Sequence, residues 1–386
     1  MRICGKHIDT GEVVTVDVEA GRIAAIVPGE HAADLGAPDL WLAPGLCDVQ
    51  LNGYAGRDFN IAVWGRQGGI EQALREIRGL LARTGTALFC PTITTNSREA
   101  ICESLAAVAR ALDADPALAR SVPGIHVEGP FIAPEDGPRG AHPLEHVRDP
   151  DWDEFQAWQE AAGGRIKIHT LAPERPGALP FIERLAAAGV VVAIGHTAAE
   201  PEEIRAAVAA AATMSTHLGN GAHSMLRRHP NYIWEQLADD RLVASVIADG
   251  HHLPPSVVKC IARVKGPDRL VLVSDAVSLG GLPPGLYTEG RHEVHASGKI
   301  TLAGTPYLAG AGHLLDTCVA NALRFTDLTL AQCVSCATAN PARLLGLADR
   351  KGRLAPGYDA DLTLFRLPDE GPLEVAATLC GGERVE

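Results

Sequence analysis

Aromatic side chains are scarce in this chain, at 4% of 386 residues, and only three residues are Met. The 46% hydrophobic content is therefore carried mainly by small aliphatic residues, which suit a parallel sheet covered by helices on its outer faces. Basic residues are outnumbered, 34 against 47 acidic, for a formal net charge of -13. That balance excludes nucleic acid and anionic membrane surfaces as general partners, while leaving room for a local basic pocket that takes a small anion. No uninterrupted apolar run is long enough to cross a bilayer, and Met1-Arg2-Ile3-Cys4-Gly5-Lys6 has no apolar signal core. The nine cysteines are an odd number with a single Cys-x-x-Cys, Cys333-Val334-Ser335-Cys336, inside an alanine-rich helical stretch. With no second pair nearby these read as small buried hydrophobes rather than zinc or redox chemistry, and the chain reads as a reduced, cytoplasmic protein.

The length exceeds what one hydrophobic core usually supports, so a large domain with a smaller companion is expected. From Arg2 to about Leu42 the chain alternates in short β-like pieces, such as Val13 to Val18 and Arg22 to Val27, punctuated by Gly11 and Gly21. Gly352 to Phe365 is again turn and strand. Residues 1–43 and 346–386 are expected to form one small β-sandwich, with residues 44–345 inserted between them. In that insert, strand-like runs alternate with alanine-rich helical segments, the signature of right-handed βαβ crossovers. The strands are Leu46 to Leu51, Ala87 to Thr92, Gly124 to Glu128, Ile166 to Leu171, Val191 to His196, Met214 to His217, Val243 to Asp249 and Leu270 to Asp275. Helices include Ile70 to Thr84, Arg98 to Leu112, Pro201 to Ala211 and Pro255 to Val264. Eight strands favour a closed α/β barrel of the (β/α)8, TIM-like type over an open sheet. Ala133 to Pro143 and Gly280 to Gly290, rich in Gly and Pro, read as long loops over its mouth.

Several of these strands end in a group that can bind a metal or move a proton. Gly124-Ile125-His126-Val127-Glu128 ends in a carboxylate, Val191 to His196 and Thr213 to His217 in imidazoles, and Leu270 to Asp275 in a second carboxylate. In an α/β barrel the C-terminal strand ends face the active site, which puts Glu128, His196, His217 and Asp275 at one mouth. Two imidazoles and a carboxylate are a three-ligand set that leaves a fourth position for water, whose pKa then falls to roughly 7 in well-tuned sites. Asp275, at the last strand, is placed to accept a proton from that water and return it to a leaving group. His126, two residues before Glu128, and His169, in the fourth strand, read as supporting or core residues rather than ligands. At the first strand the chain has Gln50-Leu51-Asn52, where a second metal would need His-x-His; amides are poor zinc ligands, so one metal is expected.

Taken together, these motifs resemble the amidohydrolase superfamily and, within it, the N-acetylglucosamine-6-phosphate deacetylases in their single-metal form. The likeness rests on Pro44 to Gly53, His126-Val127-Glu128-Gly129-Pro130-Phe131, Gly140-Ala141-His142-Pro143, Gly195-His196-Thr197, Thr216-His217-Leu218-Gly219-Asn220, Ala248-Asp249-Gly250-His251-His252 and Val273-Ser274-Asp275-Ala276. It spans nearly the whole chain, closing with Gly352 to Leu362. The resemblance implies metal ligation by Glu128, His196 and His217, with zinc first and iron or manganese also suited to the set. It implies proton transfer by Asp275 and contact of His142 with the sugar or its acetamido group. Phosphate binding would fall to Asn220, Gly221, Arg228 and His252, one of them reaching in from a neighbouring subunit of a homodimer. A guanidinium fork and an imidazole suit a phosphate dianion.

The implied reaction is removal of the acetyl group from N-acetylglucosamine-6-phosphate, giving glucosamine-6-phosphate and acetate. One stretch departs from the family pattern: after His229-Pro230 the chain reads Asn231-Tyr232-Ile233-Trp234-Glu235-Gln236, where the family has small residues and glycines. Ala303 to Tyr307 likewise replaces a more serine-rich loop. A bulky ring and a carboxylate near the phosphate site keep a second reading open, an amidohydrolase acting on another N-acyl amine or an unphosphorylated N-acetyl sugar. A third reading, a catalytically silent barrel kept for binding, is opposed by the intact Glu128, His196, His217 and Asp275.

Overall fold

The computed structural model describes residues 1–60 and 69–386. Eight strands follow one another around a single sheet: Leu46–Leu51, Thr86–Thr94, Ile125–Glu128, Ile166–Leu171, Val191–Ile194, Met214–Ser215, Val243–Val246 and Leu270–Leu272. Each neighbouring pair is parallel. The two ends of the sheet meet just beyond the last strand, where Asp275 N donates to Gln50 O at 2.9 Å and Asn52 N to Ala276 O at 2.9 Å. This closes the expected (β/α)8 barrel.

Helices wrap the barrel because their apolar residues recur on one face. In Ile70–Ala82 the buried set is Ile70, Ala73, Leu74, Ile77, Leu81 and Ala82, with spacings of three and four. Ser97 caps Arg98–Ala114 by accepting from Ala100 N at 3.2 Å, and Asn231 caps Tyr232–Ala238 by accepting from Ile233 N and Trp234 N at 3.1 Å. Trp152–Ala161 and Ala178–Ala187 are further helices. They enclose a ring cluster of Phe131, Phe155, Trp158 and Phe181 around His169, which is a core residue here. Neither ring nitrogen of His169 has a hydrogen-bond partner among the described residues.

Four of the expected strands stop short of the residue that matters chemically, ending at Ile194, Ser215, Val246 and Leu272. At three of them the cause is backbone conformation: His196, His217 and Asp275 have φ of 51°, 29° and 50°, in the left-handed region that L side chains rarely adopt. Such a residue leaves the ladder and turns its side chain toward the mouth. The Gly280 to Gly290 segment is not wholly loop either. Gly285–Tyr287 is the first strand of an antiparallel meander with His292–Val294 and Ile300–Leu302, inserted between the last barrel strand and the helix Leu315–Phe325.

The terminal segments share a seven-stranded sheet. Its centre is the antiparallel pairing of Leu362–Arg366 with Leu35–Pro44, which joins the two ends of the chain, and Arg2–His7, Val13–Glu19 and Arg22–Pro28 extend it on one side. Ile3, Val16, Leu42, Leu362, Leu364 and Leu379 make its apolar core. The Cys333 and Cys336 thiols are buried, and burial pushes Cys333 up to about 12, so they act as packing groups; none of the nine cysteines is paired.

Candidate active site

The ends of three barrel strands deliver groups that could hold a metal to one point. Glu128 Oε1 lies 3.1 Å from His196 Nε2 and 3.1 Å from His217 Nε2, and the two imidazole nitrogens are 3.0 Å apart. All three residues are buried, and the ligand atoms lie within 4.8 Å of one another. His196 Nδ1 sits 2.9 Å from the carbonyl of Pro138, an acceptor that fixes the ring proton on Nδ1 and leaves the Nε2 lone pair facing the cluster. The backbone of His217 is pinned by Ser245, whose Oγ accepts from His217 N at 2.7 Å.

Two imidazole nitrogens and a carboxylate oxygen packed this closely fit a borderline transition metal such as zinc. Their electrostatics carry the same message. Burial by itself would raise Glu128, yet the hydrogen bonds and charges of His196 and His217 outweigh it and hold the carboxyl well below the usual range. Burial would lower His217, and the Glu128 carboxylate reverses that and raises it. The buried Glu128 carboxylate therefore favours positive charge beside it.

Asp275 stands beside this cluster and is tied to it by amides. Asn52 Nδ2 donates to Asp275 Oδ1 at 2.8 Å, and Gln50 Nε2 donates both to Asp275 Oδ1 at 3.2 Å and to Glu128 Oε1 at 2.8 Å. Both bonds fall on Oδ1, leaving Oδ2 as the oxygen for a proton. Burial, with the Glu128 charge adding to it, pushes Asp275 up to about 6, close to where a proton carrier works at neutral pH. His142 is buried against His196 in an edge-to-face contact, ring centroids 4.4 Å apart, and its Nδ1 lies 2.7 Å from Thr95 Oγ1. Burial holds it neutral by lowering it to about 3.

The residues implied for phosphate binding are distributed differently. Asn220 and Gly221 are on the loop that follows His217, Asn220 Nδ2 donating to His217 O at 3.2 Å. Gly221 has φ 54°, and a Cβ there would fall 2.8 Å from His196 Nδ1, so only glycine lets this loop lie over the His196 ring. His252 is held by Asp249, Nδ1 to Oδ2 2.8 Å. Arg228, in contrast, is exposed, and its side chain has no hydrogen bond or ion pair among the described residues. It follows Met225, which is 91% exposed. The carboxylate of Glu235 pairs with Arg205 at 2.9 Å, which answers its charge with a neighbouring helix, while Trp234 remains half-exposed.

Several participants escape sequence reasoning. Gln50 and Asn52 are visible in the chain as the reason to expect one metal, but their role as donors to Asp275 and Glu128 depends on closure of the barrel between its first and last strands. Glu174 accepts from Thr197 Oγ1 and Ala198 N, each at 2.6 Å, and so anchors the turn after His196. Thr95 lies just past the second barrel strand with no motif to mark it. His126 bridges Val49 O at 3.1 Å and Thr170 Oγ1 at 2.7 Å, and Thr170 passes the chain on to Thr216 at 2.7 Å, a buried link beneath the strand ends that carry Glu128, His196 and His217.

Comparison with known proteins agrees with this geometry. A family profile described as the amidohydrolase family matches residues 41–385. An N-acetylglucosamine-6-phosphate deacetylase of Bos taurus is 37% identical over 353 residues, 89% of this chain and 83% of the relative. One of Bacillus subtilis is 32% identical over 379 residues, 97% of this chain and 91% of the relative. Among solved structures, an N-acetyl-D-glucosamine-6-phosphate deacetylase of Mycobacterium smegmatis superimposes with a TM-score of 0.88 at 30% identity, covering 100% of both chains. A point mutant of the enzyme from the same organism, in complex with N-acetyl-D-glucosamine-6-phosphate, gives 0.86 at 31% identity, covering 100% of this chain and 99% of that one.

Proposed function

Since this chain belongs to the amidohydrolase family, and within it to the N-acetylglucosamine-6-phosphate deacetylases, we propose that it hydrolyses the acetamido group of N-acetylglucosamine-6-phosphate to release acetate and glucosamine-6-phosphate. The observation that carries the reading is the convergence of Glu128, His196 and His217 beside Asp275 at the C-terminal mouth of the barrel. Glu128, His196 and His217 hold one divalent metal, zinc in the first place, and the amides of Gln50 and Asn52 stand where a second ion would need imidazoles. When bound, the cation supplies Lewis acidity and makes water nucleophilic at neutral pH.

The protein groups divide the remaining work. Asp275 takes a proton from the attacking water on Oδ2, while Gln50 and Asn52 keep Oδ1 fixed, and later gives it to the departing amine nitrogen. His142, neutral and wedged against His196, directs Nε2 at the substrate carbonyl oxygen and stabilises its growing negative charge. Asn220 and Gly221 line the substrate on the side of the metal, and His252, oriented by Asp249, serves the phosphate.

Arg228 serves the phosphate of the neighbouring subunit in a homodimer, a role supported by its exposure and its lack of an intramolecular partner among the described residues. Nine unpaired cysteines suit a reducing, cytoplasmic setting. Acetate release should be measured on N-acetylglucosamine with and without its 6-phosphate; equal rates on both would overturn the phosphorylated substrate, and no release from either would overturn the deacetylase. For the dimer, Arg228→Ala and Asp275→Asn proteins should each be nearly inactive and regain activity when their subunits are mixed. Failure of the mixture would put Arg228 outside the partner's site.

A further inference from the structure

We infer that Thr95 is a positioning residue that fixes the ring proton of His142 on Nε2 by donating its own hydroxyl proton to Nδ1. The inference rests on the proposed deacetylase reading for its chemistry, and on a contact that none of the motifs contains for its geometry. Thr95 is buried just past the second barrel strand, with Oγ1 at 2.7 Å from His142 Nδ1. The other partner of this oxygen among the described residues is the carbonyl of Glu128, at 3.5 Å.

A hydroxyl has one proton to give. At 3.5 Å the carbonyl lies beyond the range of a good O–H···O bond, whereas 2.7 Å to a ring nitrogen is a strong one. The proton therefore goes to Nδ1, which becomes the acceptor, and a neutral imidazole must then carry its hydrogen on Nε2. Nε2 of His142 has no partner among the described residues, so that hydrogen is free to point at a ligand.

The space for this hydroxyl is kept by Gly129, the residue after Glu128. A Cβ on Gly129 would lie 2.2 Å from Thr95 Oγ1, and its φ of 75° is one that disfavours any side chain. The opposite tautomer would present a bare lone pair to the carbonyl oxygen and repel the charge that builds there. Thr95 thus converts a histidine that could accept from the substrate into one that donates to it.

The test uses full-length protein with 15N-labelled histidine, comparing wild type, Thr95→Val and Thr95→Ser, with His142→Asn to identify the His142 signals. The wild type and the serine variant should show His142 protonated on Nε2; the valine variant should show the Nδ1 form or a mixture. In turnover on N-acetylglucosamine-6-phosphate, Thr95→Val should lower kcat on the order of 10- to 100-fold with little change in KM, as expected when a donor to an oxyanion is lost. Thr95→Ser should restore most of it. Thr95→Val should cost nothing further in the His142→Asn background, because a group acting only through His142 has nothing left to act on. An Nδ1-protonated His142 in the wild type, or a valine variant with unchanged spectrum and kcat, would overturn the inference. If Thr95→Val does not fold, Thr95→Ala gives the same reading. Wild-type protein that releases no acetate would sink the deacetylase reading alone, since the spectra decide the tautomer without turnover.

Discussion

Asp275→Asn isolates proton transfer from everything else the site does. Asparagine keeps an Oδ1 that can accept from Asn52 and Gln50 as aspartate does, at 2.8 and 3.2 Å in the wild type, so the amide frame survives. It also tolerates the left-handed φ of 50° better than almost any residue but glycine. What disappears is the free carboxylate oxygen, replaced by an NH2 that cannot take a proton. General base and acid assistance contributes roughly 10²- to 10⁴-fold, about 3–5 kcal/mol of barrier at about 1.4 kcal/mol per factor of ten. The variant should therefore fold with wild-type melting temperature or slightly above, hold the same metal per subunit by elemental analysis, and lose at least two orders of magnitude in kcat for acetate release. Residual activity within about tenfold of wild type, with metal content unchanged, would refute Asp275 as the proton carrier. Loss of metal along with activity would instead make it part of the binding set.

Other consequences can be measured separately. Chelation should abolish turnover and lower the melting temperature, because the Glu128 carboxylate and two imidazoles are left buried around one point without their cation; adding back zinc, iron and manganese one at a time, with activity as readout, identifies the metal that restores it. Burial, helped by His126, holds His169 down to about 3 against an ordinary 6.5, so its contribution to stability is complete above about pH 6.5 and is lost as the pH falls toward 3. At about pH 5 this amounts to about 2 kcal/mol, and His169→Leu should remove that share of the acid sensitivity, as read from urea midpoints at about pH 5 and pH 8. Lys265 Nζ donates to the carbonyls of Gln236, Asp239 and Leu242 at 2.7, 2.8 and 3.0 Å. Lys265→Met should cost about 3 kcal/mol by stranding buried acceptors, and a loss under about 1 kcal/mol in the urea midpoint would show that water replaces the ammonium.

Legibility in the sequence follows periodicity and strand ends. Eight short runs rich in apolar residues announce the barrel because parallel strands buried on both faces must be largely apolar, as Val191–Ile194 is throughout. Glu128, His196, His217 and Asp275 stand out because a polar group closing such a run has no place to go but the mouth. Local conformation is harder to see: nothing in Gly195-His196-Thr197 announces a positive φ at the histidine, so pattern alone extends the strands through residues that leave the ladder. Contacts between distant segments are not legible at all. Thr95 approaching His142, Gln50 spanning Glu128 and Asp275, and Glu174 holding Thr197 each depend on where a barrel brings its loops, and pattern carries no such information. The helices Trp152–Ala161 and Ala178–Ala187 are absent from the helices expected of the sequence, although the apolar faces that pack around His169 are present in the chain.

The backbone at His196, His217 and Asp275 sets a boundary on how this protein can be improved. Each left-handed residue costs on the order of 1–3 kcal/mol against a relaxed strand end; His196 and His217 recover stability through the metal, so a screen for thermal robustness that ignores turnover would select asparagine at Asp275 first. Robustness and competence are opposed at that residue. Engineering for durability belongs in the helices and the terminal sheet, where added stability takes nothing from the mouth of the barrel.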